Sequence, residues 1–288
     1  LNDEMFVEKS VREQAQPMTQ TDRQILQDKS LDYRVLNLAS NTFNENETSY
    51  YHKSIGGYHA AKLRRYQELI DAYISPEMQK MMPAIAKAGG DMTKVNGDSL
   101  FPVLNMLNAK YFIVPLQANQ TVAIENPYVY GNAWFVDKVT YVKNANEELD
   151  GLGKLDLRHE AIADARFRSQ LGESKNQDST SIVKLTAYEP NQLTYDVRSA
   201  TGGIVVFSEI FYPEWTATVD GKAVEIGRVD YVLRALNVDK GHHKAVLTFD
   251  PKSVKQTETV AYLSYGVLLL VVLFAVYFKR KEDKKAQA

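Results

Sequence analysis

The chain of 288 residues contains no cysteine, so disulfide bonds and thiolate chemistry are both excluded. It carries 34 Lys and Arg residues against 36 Asp and Glu residues. A protein that binds a phosphate backbone neutralises it with an excess of basic side chains, and we therefore expect no nucleic-acid partner. Any folded region must depend on its hydrophobic core alone, which a chain of this length can supply.

The short motifs of common catalytic and cofactor sites are also absent. The sequence has no Walker loop, no GxSxG, no HExxH and no GxGxxG. His242 and His243 are adjacent, and adjacent side chains in a strand point to opposite faces, so the pair is not expected to share a metal ion. We predict no catalytic residue, no metal site and no cofactor within this chain.

One long apolar run is present near the end of the chain. Residues Val260 to Phe278 include no charged residue and no proline, and a helix of that length spans about 28 Å, close to the hydrocarbon thickness of a bilayer. Tyr262, Tyr265 and Tyr277 lie near its two ends, where amphipathic rings favour the interface with water. The run predicts a transmembrane helix, with a buried helix of a soluble protein as the weaker alternative.

Basic residues set the predicted orientation of this helix. Lys279, Arg280 and Lys281 follow it directly, and Lys and Arg flank membrane helices on the cytoplasmic side. We therefore expect an inner-membrane protein with residues 1–259 outside the cytoplasm, in the periplasm or its equivalent, and a cytoplasmic C-terminus. The chain begins at Leu1 with a polar stretch. A large exported region without an export signal of its own suggests an upstream transmembrane region of the same protein.

Helical and strand patterns alternate in the first half of the chain. Residues 33–38 and 111–115 read as buried strands. Between them, Leu63, Tyr66, Ile70 and Tyr73 form a helical stripe in a helix predicted to follow Gly56-Gly57 and to end at Ser75-Pro76, where a second helix begins. Helices between strands indicate a small mixed α/β domain.

The pattern of the second half changes to a period of two. A charged helix is predicted near residues 159–170, followed by a polar linker. Alternating strands follow from residue 181, and Asp220-Gly221 is a strong hairpin signal. The predicted fold class is α+β: an extracytoplasmic mixed α/β domain, an antiparallel β-sandwich domain and one C-terminal transmembrane helix. The predicted boundaries are 1–30 (polar segment), 31–150 (α/β), 151–180 (helical connector and linker), 181–259 (β-sandwich), 260–278 (membrane helix) and 279–288 (basic cytoplasmic tail).

The stretch GGYHAAKLRR is the candidate ligand site. Two glycines let a backbone approach a ligand closely, and a helix N-terminus favours anions. If the helix begins there, an aromatic residue and two cations share one face, which suits a phosphate or a sugar ring. The candidate substrate-binding residues are Gly56, Gly57, Tyr58, His59, Lys62 and Arg65. The alternative is an ordinary solvated helix preceded by a glycine turn. Trp134 and Trp215 could stack on sugars, although core packing is favoured for each.

Several stretches together resemble the YfhO family of bacterial membrane proteins. They are DYRVLNLASNTFNENETSYYHKSIGGYHAAKLRRYQ, LNMLNAKYFIVP, ENPYVYGNAWFV and FYPEWTATVDGKAVEIGRVDYVLRALNVDKGHHKAVLTFDP. The last is the most specific, with an aromatic–Pro–x–Trp turn, an Asp–Gly hairpin, an Arg-bearing strand and Gly–x–His before the final strand. The match departs at Asp230, where the family is variable.

This resemblance implies a large polytopic protein of the GT-C glycosyltransferase type. Such enzymes transfer a sugar from a polyprenyl-phosphate carrier to an envelope glycan outside the cytoplasmic membrane. The catalytic acid of that type lies in an early loop that this chain does not include, so the chain alone should be inactive. The expected partners are membrane lipid, a polyprenyl-phosphate-linked sugar, an envelope glycan acceptor and the upstream membrane region. The alternative is a membrane-tethered, non-catalytic carbohydrate-binding or scaffold module.

Overall fold

A computed structural model describes residues 17–116, 120–173, 175 and 180–286, with side chains as far as residue 281. Most of the predicted polar segment 1–30 and part of the predicted linker therefore lie outside the described residues. In the first half of the chain the elements are α1 (Gln20–Ile25), β1 (Arg34–Asn37), α2 (Thr48–Tyr51), α3 (Arg64–Leu69), a π-helical turn (Ile70–Ile74), α4 (Ser75–Lys87), a 3-10 turn (Met92–Lys94), α5 (Gly97–Leu100), α6 (Pro102–Met106), β2 (Ala109–Pro115), β3 (Thr121–Glu125), β4 (Ala133–Val136) and β5 (Lys138–Val142).

The second half is mainly strands and ends in one long helix. Its elements are α7 (Ala145–Leu152), β6 (Glu160–Asp164), a 3-10 turn (Ala165–Phe167), α8 (Arg168–Leu171), β7 (Ile182–Glu189), β8 (Gln192–Ser199), β9 (Gly203–Ile210), β10 (Trp215–Val219), β11 (Lys222–Val224), β12 (Gly227–Val229), β13 (Leu233–Val238), β14 (Gly241–Phe249) and α9 (Lys252–Ala286). The predicted α+β class, its antiparallel sheets and its long C-terminal apolar helix are confirmed.

The two strands predicted in the first half lie side by side. β1 pairs in parallel with β2, and β2 pairs antiparallel with β3. Parallel strands need a long crossover connection, and the helices between β1 and β2 supply it. This small sheet carries the segment around Gly56 on one side, because Ile55 donates its N–H to the Val35 carbonyl at 3.0 Å.

The helix after Gly56-Gly57 begins later and runs further than the sequence predicts. It begins at Arg64, and α3, the π-helical turn and α4 follow one another without a break as far as Lys87. Pro76 does not end it. A proline inside a helix clashes with the carbonyl four residues earlier, and the wider π-helical turn lies at that point. Tyr66, Ile70 and Tyr73 of the predicted stripe do pack in or against the core, but Leu63 is exposed and, like Tyr58 and Lys62, precedes the helix.

The predicted charged helix at 159–170 is wrong, because its first part is a strand. β6 pairs in parallel with β5, and α7 forms the crossover between them. Ala161, Ile162 and Ala163 are all buried, on both faces of the strand. Consecutive residues buried on both faces fit a parallel strand and not a surface helix, which would expose one side. Only Arg168–Leu171 is α-helical within this stretch.

Two antiparallel sheets make up most of the second half. One has the order β11-β10-β14-β8-β7 and the other β12-β13-β9-β4. Neighbouring residues of β4 and β9 belong to different cores: Trp134 and Val206 pack in the larger hydrophobic cluster, Ala133 and Val205 in the smaller. The four-stranded sheet is thus buried on both faces, between the five-stranded sheet and the helices. The predicted hairpin at Asp220-Gly221 is confirmed, with Val219 opposite Lys222 and positive φ angles at both turn residues.

The C-terminal helix leaves the five-stranded sheet directly after β14. It is the one helix among the described residues that is long and apolar enough to cross a membrane: within Lys252–Lys281, an 18-residue apolar window has a mean hydropathy of 2.3. No part of its apolar window is buried against the rest of the chain. Glu214 holds the first turn of this helix: its carboxylate accepts from the Ser253 N–H at 3.2 Å and from the Ser253 hydroxyl at 2.9 Å. The position of the helix relative to the sheets is therefore held by the turn before β10.

Candidate functional site

Five of the six predicted site residues line one pocket of about 460 Å³, here called the Gly56 pocket. The segment from Ile55 to Leu63 forms one wall, and Arg34, Tyr66 and Ile210 contribute to the others. The predicted residues in its lining are Gly56, Gly57, Tyr58, His59 and Lys62. The site thus joins the segment before the long helix to strands of two sheets.

The glycine pair shapes this pocket by packing against a neighbouring loop. A Cβ on Gly56 would lie 1.9 Å from the Thr42 carbonyl oxygen, so no larger residue fits there. The N–H of Gly57, which has a φ of 99°, donates to Thr42 at 2.7 Å, and the Tyr58 N–H donates to Glu45 at 2.8 Å. These amides are already occupied. The amides of Gly57 and Tyr58 are therefore not free to bind a ligand, although the sequence prediction requires free amides there. The glycines instead determine the shape of the pocket wall.

Side chains supply the polar groups of the Gly56 pocket. Lys62 makes no ion pair with any described residue, and its Nζ lies 5.5 Å from the ring centre of Phe43. Tyr58 is 66% exposed. An unpaired cation and an exposed aromatic ring that line one pocket can receive an anionic or sugar-bearing ligand.

Arg34 lies at the buried end of the pocket and is held in place. Its Nη1 donates to the Leu107 carbonyl at 2.9 Å and to the Ser208 carbonyl at 2.5 Å, while Nη2 pairs with Glu209 at 3.2 Å. Burial raises the pKa of the Glu209 carboxyl, although the Arg34 guanidinium opposes that shift. Burial likewise raises the pKa of the neighbouring Tyr66 to about 12. This end of the pocket is a fixed and largely desolvated polar floor.

Arg65, the sixth predicted residue, points away from the Gly56 pocket. Its Nη1 donates to Glu148 at 3.2 Å and to the Tyr231 carbonyl at 3.4 Å, and its guanidinium lies 4.4 Å from the Tyr231 ring centre. Lys62 and Arg65 would share a face only on a continuous helix. Because the helix begins between them, they separate.

The contacts of Arg65 belong to a buried polar cluster that the sequence pattern did not reveal. Glu148 is fully buried and also accepts from Arg228 Nη2 at 3.0 Å. Asp230, next to this pair, is fully buried too, and its Oδ1 accepts from the Ile162 N–H at 3.0 Å. Burial raises the pKa of Asp230 to about 8, and the nearby Glu148 charge adds to the shift. We assign this cluster a structural role, since it joins the long helix, α7 and the β12–β13 turn.

Four of the five histidines contact separate aspartates, and His59 instead accepts from the Ala61 N–H at 3.0 Å. His52 contacts Asp22 at 2.9 Å, His243 contacts Asp220 at 2.7 Å, and His242 contacts Asp196. Hydrogen bonding to Asp220 raises the pKa of His243. Within the part of the chain that the structure describes, no group of three or more His, Asp or Glu side chains is arranged to hold a metal ion.

Among the described residues, a mixed α/β region is joined to one long, exposed apolar helix, which is typical of a membrane protein with a folded region outside the bilayer. Residues 153–261 match the family described as bacterial membrane protein YfhO. The match confirms the resemblance that the sequence motifs predicted, over the region from β6 to the first turns of α9. No curated protein and no solved structure gives a significant match to the chain.

Proposed function

We propose that this chain is the C-terminal extracytoplasmic region and last membrane helix of a polytopic protein that resembles lipid-linked-sugar glycosyltransferases. In this proposal the Gly56 pocket holds part of the envelope glycan acceptor or of the polyprenyl-phosphate-linked sugar. The observation that carries it is that the exposed Tyr58 ring and Lys62, which makes no ion pair with a described residue, line one pocket together with the fixed Arg34. Sugars bearing anionic groups match that combination of ring and cation.

The lining of the pocket suits binding better than bond cleavage. None of its described residues is Asp or Glu, which are the usual acids and bases of sugar transfer. A pocket with cations and rings but no carboxylate positions a substrate without activating it. In this proposal the upstream membrane region catalyses the sugar transfer, and the Gly56 pocket of this chain orients the acceptor.

Substitution of the pocket cation and ring tests this role. In the full-length protein, Lys62→Gln and Tyr58→Ala should each lower the initial rate of sugar transfer to envelope glycan in membranes by about tenfold or more, because a charge-assisted or stacking contact is lost. Arg64→Gln is the matched control, since among the described residues that exposed cation pairs with Glu68 alone and lies outside the pocket. Wild-type rates in correctly folded Lys62→Gln and Tyr58→Ala proteins would refute the proposed site.

The proposed orientation of the membrane helix is based on the basic residues that follow the apolar run. Lys279, Arg280 and Lys281 favour the cytoplasmic side, which puts residues before Val260 outside the cytoplasmic membrane. The opposite orientation would place the folded region, and any envelope glycan, on different sides of the bilayer.

Labelling of intact cells tests the orientation directly, because the chain has no cysteine of its own. A single Ala200→Cys, in an exposed turn, should react with a membrane-impermeant maleimide in intact cells. A single Ala288→Cys should react only after the membrane is permeabilised. The reverse pattern would exclude an extracytoplasmic role.

A second function remains consistent with the carboxylate-free pocket: a membrane-tethered carbohydrate-binding or scaffold module without catalysis. The gene sequence upstream of Leu1 separates the two. About ten or more hydrophobic spans would favour the transferase, and a single export signal would favour the tethered module.

A further inference from the structure

We propose that a second pocket, next to the start of the membrane helix, is a sugar-binding site. It has a volume of about 390 Å³ and is here called the Trp215 pocket. Its walls are the turn before β10, the strand β11 and the side chain of Arg234. None of its residues belongs to the Gly56 pocket.

Arg234 is the unusual group of this pocket. Only 3% of the residue is exposed, and its guanidinium lies 3.8 Å from the ring centre of Trp215. Its Nε donates to the Ile210 carbonyl at 3.0 Å, but its Nη1 is buried and makes no hydrogen bond with any described residue. A buried donor without a partner costs free energy, and a ligand oxygen would recover it.

Charge selects the class of ligand. Glu214 and Glu225 also line the pocket, so the two carboxylates outnumber the one guanidinium. An anion would be repelled by the carboxylates, and a cation by the buried Arg234. A neutral ligand that both donates and accepts hydrogen bonds can satisfy Arg234 and Glu225 together, and sugar hydroxyls do both. Tyr212, 45% exposed, adds a ring at the rim.

The position of the pocket indicates where the sugar comes from. Glu214, in its wall, is bonded to Ser253 in the first turn of α9. Residues 252–259 are polar except for Val254, and Ser253 lies about 10 Å of helix before Val260. A headgroup layer is about 5 to 8 Å thick, so this turn would lie a few ångström outside it. A sugar attached to a lipid headgroup, or a glycan held close to the membrane surface, is within reach of this pocket.

Direct binding to the complete chain tests the inference. The protein is purified in a zwitterionic amine-oxide detergent, because a maltoside detergent would present sugar to the site. Methyl glucoside, methyl galactoside and methyl N-acetylglucosaminide are titrated while tryptophan fluorescence and saturation-transfer NMR are recorded. At least one should bind saturably and change the emission of Trp215. No saturable binding by any of the three, or a response to inorganic phosphate in place of sugar, would overturn the proposal.

Variants then locate the bound sugar. Arg234→Gln should weaken binding by about tenfold or more, since a hydrogen bond to a charged group is lost. Ala223→Leu should abolish binding by filling the pocket, whereas Ala223→Ser, at the same exposed position, should bind like the wild type. The Ala223 pair keeps the test valid if Arg234→Gln does not fold.

This inference extends the proposed function to a second subsite but can fail separately from it. Lys62→Gln removes the cation of the Gly56 pocket and should leave the sugar-induced change at Trp215 intact. Loss of that change in Lys62→Gln, with wild-type binding in Ala223→Leu, would place the sugar in the Gly56 pocket and overturn the assignment. If Lys62→Gln loses sugar transfer but still binds sugar at the Trp215 pocket, the result supports the Gly56 proposal and leaves the Trp215 assignment standing.

Discussion

Replacing Glu148 with glutamine is expected to lower the free energy of unfolding by about 3 kcal/mol or more, because it leaves buried cations without their counter-charge. The Glu148 carboxylate is fully buried and is shared by Arg228 at 3.0 Å and Arg65 at 3.2 Å. Arg228 is itself only 6% exposed, and burial already lowers the pKa of its guanidinium. A neutral amide accepts hydrogen bonds but cancels neither charge.

Thermal unfolding of the complete chain in detergent, followed by tryptophan fluorescence, measures this effect. The expected loss corresponds to a fall in Tm of about 6 to 12 °C for a folded region of this size. Glu173→Gln is the control, because its carboxylate pairs with Arg168 at 3.0 Å but is 80% exposed. An exposed pair contributes less than about 1 kcal/mol. Equal changes in the two variants would show that the buried cluster does not stabilise the fold.

Asp230 should make the protein less stable as the pH rises. Burial raises the pKa of its carboxyl from 3.8 to about 8, so between these values the folded chain keeps a proton that the unfolded chain has lost. The unfolded state then binds fewer protons, and stability falls with rising pH by about 1.4 kcal/mol per unit at most. The loss begins above about pH 4 and is complete above pH 8.

The variant Asp230→Asn isolates this contribution. Its amide oxygen can still accept from the Ile162 N–H, which Asp230 Oδ1 accepts at 3.0 Å, but it has no proton to lose. We expect the variant to exceed the wild type in stability at pH 8, by several kcal/mol, and to approach it near pH 4. Unfolding at pH 4, 6 and 8 measures the difference. A wild-type slope in Asp230→Asn would show that Asp230 is ionised in the folded state.

Local sequence patterns predicted part of the candidate site. Gly56-Gly57 marked a turn beside a pocket, and five of the six residues around it line that pocket. The pattern placed Arg65 with them because a helical stripe shows which residues share a face but not where the helix begins. The Trp215 pocket was beyond this reasoning, since Arg234 meets Trp215 only when β13 and β10, in different sheets, face each other.

Composition and spacing were enough to predict the membrane helix, the hairpin at Asp220-Gly221 and the alternating strands. Each of these depends on interactions within a short stretch of chain or on hydrophobicity summed along it. Packing between segments that are distant in the sequence determined the remaining features. It turned residues 160–164 into a strand, buried Glu148 and Asp230 beside the β12–β13 turn, and separated Lys62 from Arg65. These features depend on contacts between segments that are far apart in the sequence. A local sequence pattern does not show which distant residue a side chain will be buried against.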